Sequence, residues 1–144
     1  MPTPTFSWFD RHRAYAALFI RVAVGTRLIS GTQDNVFSSA RMQEFAHFLA
    51  ANGTPFPLVA AFVSVYAQFI CGALFISGLW TRPAAVVMTV NFLAALVIAH
   101  RATPFEVTWP ALMMLAAALF FLFHGAGRPS VDAMLGDRAT GQAR

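Results

Sequence analysis

The chain reads as an all-α, four-transmembrane-helix bundle with a short interfacial helix between spans one and two. Three observations predict it. Apolar residues make up 58% of the 144 residues and charged residues only 11%, against about 45–50% and about 25% in soluble domains. The apolar residues gather into runs long enough to cross a hydrocarbon layer of about 30 Å. The ten basic residues are all Arg, and they punctuate those runs instead of clustering on one element. A soluble enzyme, a disordered segment and a disulfide scaffold all fit these numbers poorly. The net charge of +4 would suggest nucleic acid in a soluble chain, but here the pattern is a topology signal. No linker or repeat divides the chain, so residues 1–144 are expected to form one integral membrane domain.

The first span covers about residues 14–30, apolar except for Arg21 and Arg27. Arg27 lies near one end and can snorkel to the interface. Arg21 lies near the middle, where insertion costs about 2.5–3.5 kcal/mol, so it must face protein or water. Gly25, four residues on, leaves room for a neighbouring helix. Internal arginines and the lack of a small-x-small cleavage site argue against a signal peptide.

The interfacial helix spans about residues 39–51, capped by Ser38 or Ser39 and ended by Asn52-Gly53. Met42, Phe45 and Leu49 share one face. It is too short to cross, so it lies at the interface or folds over the bundle mouth.

Span two, about residues 58–80, is the longest apolar run, with no charge in 23 residues. Ser64, Gln68 and Gly72 make a small polar stripe on it that should face other helices. Gln68 is the expected partner of Arg21, in which case Arg21→Leu is tolerated better than Gln68→Leu, because losing the acceptor strands a charge. Cys71 has no partner cysteine and reads as a small buried hydrophobe.

Span three, about residues 83–100, starts at Pro83, which suits a first helical turn. Thr89 and Asn91 are interhelical hydrogen-bonding candidates. Span four, about residues 106–124, stops at Gly125, Gly127 and Pro129. His100, Arg101, Glu106 and Trp109 crowd the short loop between these spans, a group that can bind a quinone head or a partner. His124 sits at a helix C-terminus, where imidazolium suits the dipole. The tail beyond Asp132 is polar and expected to fray.

Four spans place both termini on one side. That side carries Arg11, Arg13, Arg82, Arg128, Arg138 and Arg144; the other carries Arg41 and Arg101, with Arg27 near its border. The asymmetry predicts cytoplasmic termini. No nucleophile–base pair, phosphate loop or metal set stands out. The candidate contacts to a quinone or lipid are Arg21, Gln68, His100, Arg101 and Trp109.

Several ordered pieces carry a family resemblance across about residues 19–132. They are Arg21, Gly25 and Gly31 in span one, and Gly53 with Pro55 before span two. Gly72, Gly78, Thr81 and Arg82 follow, then a closing run from His124 through Gly125, Gly127 and Ser130 to Asp132. The arrangement resembles the DoxX family of small four-helix membrane proteins. That family often has Glu where this chain has Gln68, and a Lys where it offers Gln33 and Asp34. The resemblance implies a bacterial inner-membrane protein, a small subunit or anchor of a quinone-linked redox complex, not catalytic alone. Its partners would be the bilayer and other membrane subunits, without nucleic acid. A bound quinone or lipid is the candidate ligand. A structural or assembly subunit with no ligand chemistry is the competing class.

Overall fold

The computed structural model describes residues 7–12, 15–99 and 103–139. Every element is helical: α1 Ser7–His12, α2 Ala16–Phe37, α3 Ser39–Ala51, α4 Pro57–Ser77, α5 Thr81–Ala99, α6 Phe105–His124 and α7 Val131–Ala139. Three of them, α4, α5 and α6, are long and apolar enough to cross a membrane. The first expected span, α2, has 22 residues but carries Arg21, Arg27 and Asp34, and is not among those three.

α2 runs past the expected end at Ser30 as far as Phe37. A lone Gly costs a helix only about 1 kcal/mol, so Gly31 does not stop it. Thr32 satisfies its hydroxyl on the Leu28 carbonyl at 2.8 Å, so this buried polar side chain is paired within the helix. The chain turns at a single extended residue, Ser38, whose hydroxyl accepts from the Arg41 N–H and caps α3. α3 buries Met42, Ala46 and Leu49 against Ala61 and Val65 of α4, while Phe45 is only partly covered. Its end is closed by Gly53 at φ 75° and by the Thr54 N–H on the Leu49 carbonyl.

α4 ends three residues sooner than its apolar run. Gly78 adopts φ 68°, and the N–H groups of Gly78 and Leu79 both return to the Leu74 carbonyl. Leu79 and Trp80 therefore form the turn into α5. The tail beyond Asp132, expected to fray, is helical as far as Ala139 in α7, because Ser130 accepts the Ala133 N–H and caps it.

α2 and α4 pack antiparallel and close. A Cβ built on Gly25 would come within 2.6 Å of the Gly72 carbonyl oxygen, and one on Gly72 within 2.9 Å of that of Gly25. The two backbones therefore touch, as small residues on facing spans allow. Towards one end of this pair Arg21 lies beside Gly78; towards the other Val36 reaches Ala61 and Val65. The main core joins Val24 and Leu28 of α2 to Phe75 of α4, Met88 of α5 and Phe121 of α6. The Phe75 and Phe121 rings, both fully buried, are 4.8 Å apart between centroids. Large apolar side chains such as Val63, Val90, Val97 and Phe123 face outward, an arrangement suited to lipid and not to water.

Candidate functional site

The two groups expected to pair, Arg21 and Gln68, do not meet. Arg21 is almost wholly buried at the end of the bundle that carries α7. Its Nη1 donates to the Ala126 carbonyl at 2.9 Å and its Nη2 to the Pro129 carbonyl at 2.6 Å. Gly78 makes the space, since a Cβ there would collide with the Arg21 guanidinium. The same loop holds the α4–α5 turn. The Asp132 carboxylate accepts the Trp80 and Thr81 N–H groups at 2.8 and 3.0 Å, and its own N–H donates to the Gly78 carbonyl. Residues 125–132 thus clasp α2, α4 and α5 together. Three pieces far apart in sequence converge there: Arg21, Gly78 with Thr81, and the Gly125–Asp132 run.

Depth explains the error. Because α2 continues to Phe37, its midpoint is Arg27 and not Arg21. The Arg27 side chain folds back along its own helix over Gly31, where a Cβ would meet its Nη1. Among the described residues Arg27 has no ion-pair or hydrogen-bond partner. It lines a cleft of about 890 Å³.

That cleft is walled by α2 through α6, and it is apolar except at Arg27, Ser64, Gln68, Asn91 and Thr54. Gln68 Nε2 donates to Ser64 Oγ at 3.1 Å, and Ser64 Oγ donates to Asn91 Oδ1 at 2.8 Å. So Gln68 pairs on its own helix and, through Ser64, across to α5. The chain of bonds leaves groups open. Gln68 keeps one N–H and its carbonyl oxygen, and Asn91 keeps both N–H groups, none with a partner among the described residues. Gln68 and Asn91 each stand one residue past the midpoint of their helix, α4 and α5. Phe45, Phe48 and Leu49 of α3, which packs against α2 and α4, line part of the cleft. Outward-facing Val63 and Val90 also line it, which opens it towards lipid.

The remaining expected residues fall elsewhere. His100 and Arg101 lie outside the described residues. Trp109 is about half exposed and packs against Phe105 with ring centroids 5.3 Å apart; its neighbours Val107 and Pro110 line the cleft, but it does not. Glu106 is exposed in the first turn of α6. His124 stacks on Phe120. Cys71 is buried and unbridged in the core. Among the described residues no group of His, Cys, Asp or Glu could hold a metal ion. The residue that sequence reasoning missed is Arg27. The available signal was its i, i+4 relation to Gly31, which marks a helix face where a long side chain can lie flat.

The family model of DoxX matches residues 16–101. The chain belongs to the DoxX family. No curated protein and no solved structure matches it. The matched region contains α2 through α5, and so Arg27, Ser64, Gln68 and Asn91; the clasp at residues 125–132 lies beyond it. With the family and the apolar helices together, this DoxX protein is a multi-pass membrane protein.

Proposed function

We propose that this DoxX-family protein is a four-span inner-membrane subunit or anchor of a quinone-linked redox complex, with a quinone held in the cleft between α2 and α6. The observation that carries this reading is the set of open N–H donors, on Arg27, Gln68 and Asn91, around an apolar space accessible from lipid. A quinone ring offers two carbonyl acceptors on a flat apolar body, and its tail needs an opening to the bilayer. A cleft of about 890 Å³ is in the range of small-molecule sites. α2 supplies the fourth span, its Arg21 shielded by the clasp and its Arg27 facing the cleft. The arginine asymmetry supports cytoplasmic termini in this reading. Trp109, near the start of α6, belongs to the opposite mouth, where a quinone or a partner subunit would approach.

Purification in mild detergent, with mass spectrometry of partners and extracted quinones, tests the reading. Quinone should co-purify with the native protein and be lost from Gln68→Leu and Asn91→Leu at unchanged helical content. Partners without quinone, in native and variant alike, would instead support a purely structural or assembly subunit. That reading has its own support: the Ser64–Asn91 bond already ties α4 to α5 without any ligand.

A further inference from the structure

At the other end of the molecule a second concavity is independent of the cleft. A groove of about 540 Å³ opens between the start of α5, the end of α6 and the loop that follows. It lies where two apolar spans terminate, which is the depth at which hydrocarbon gives way to headgroups. Its donors outnumber its acceptors. Arg82, in the first turn of α5, has no carboxylate partner among the described residues; its one bond is a long 3.5 Å contact from Nη2 to the Phe123 carbonyl. The two acids nearby are already engaged: Asp132 by the Trp80 and Thr81 N–H groups, Asp137 by Arg128 at 2.7 Å.

The backbone adds to this imbalance. The N–H groups of Ala126, Gly127 and Arg128 donate to nothing among the described residues. Ala126 is buried, and a buried backbone N–H almost always has a partner. Beside these donors stand Trp80, 66% exposed, and Phe123, 80% exposed. An aromatic at headgroup level next to a guanidinium with no carboxylate partner among the described residues fits an interfacial lipid.

We propose that this groove binds the phosphate of an anionic phospholipid in the leaflet on the side of the termini. Arg82 and the loop N–H groups hold the phosphate oxygens, and an acyl chain lies along Phe123. Phosphatidylcholine carries the same phosphate but sets a quaternary ammonium beside Arg82 and Arg128, so it binds less well. Free phosphate shares the chemistry but has no chain to bury.

The test is native mass spectrometry of the full chain after exchange with vesicles of equal phosphatidylglycerol and phosphatidylcholine. The native protein should retain phosphatidylglycerol preferentially. Arg82→Gln should lower that preference about tenfold, the effect of one charge-assisted hydrogen bond. Arg82→Lys should keep part of it, and Arg41→Gln, on α3, should keep all of it. Equal retention of the two lipids by the native protein would overturn the proposal, and this needs no variant to fold. An undiminished preference in a folded Arg82→Gln protein would overturn it too. Displacement of the retained lipid by millimolar inorganic phosphate would assign the groove to the free ion and overturn the lipid assignment.

Discussion

The two arginines of α2 are treated in opposite ways. Arg21 is enclosed, with carbonyls on two of its nitrogens and a glycine shaped around it. Arg27, less than two turns along the same helix, is open to a cleft and unpaired among the described residues. The clasp closes on itself: Asp132 caps α5, Ser130 caps α7, and the Gly78 carbonyl takes the Asp132 N–H. The cleft does the reverse. Its polar side chains bond just enough to fix their orientation and leave N–H donors aimed at a space. A charge near a membrane core is costly wherever it lies; the fold gives one of these carbonyl partners on two of its three nitrogens, and gives the other none among the described residues.

That contrast can be broken most forcefully at the clasp. Arg21→Leu strands two carbonyl oxygens, at about 1–3 kcal/mol each, and should lower detergent-solubilised stability by on the order of 3 kcal/mol, read as loss of the folded species on heating. This reverses the order that an Arg21–Gln68 pair implies. Gly72→Val comes next. Its side chain would meet the Gly25 carbonyl and Ile29 at contact distances of 2.9 Å, so α2 and α4 must separate. About 2 kcal/mol should be lost, with cross-linking between cysteines placed on the two helices reporting the gap. Asp132→Ala removes the acceptor of the Trp80 and Thr81 N–H groups where α5 begins and should cost about 1 kcal/mol, while hydrogen exchange at both speeds up.

The smallest stability effect should come from the cleft. Gln68→Leu removes one intramembrane hydrogen bond, worth about 0.6 kcal/mol on average, so its melting curve should nearly overlay the native one while bound quinone disappears. A large destabilisation by Gln68→Leu would erase the distinction between a structural end and a binding half.

Much of this fold is legible in residue order. The uncharged run from Leu58, the Pro83 start and the Gly125 stop locate α4, α5 and α6 to within a few residues, because apolar length and backbone-breaking residues act locally. The α3 boundaries follow from Ser38 and Asn52-Gly53 for the same reason. The end of α2 was misjudged because Gly31 and the polar Thr32–Asn35 stretch look like a stop. A helix packed along its neighbour tolerates them.

The candidate site was legible only in part. Gln68, Ser64 and Asn91 stand out as polar groups in apolar runs, and they do line one cleft. Which arginine joins them was not readable, since that depends on helix register and on where a distant loop returns. The Arg21–Ala126 bond spans 105 residues of sequence. The sequence by itself determined that this is a helical membrane protein, roughly where its spans run, and which polar groups must be accounted for. Only the tertiary structure decided how each was accounted for. Burial of a charge is a local demand, but the carbonyls that meet it come from wherever the chain folds back, and a cleft exists only as the space that packed helices fail to fill.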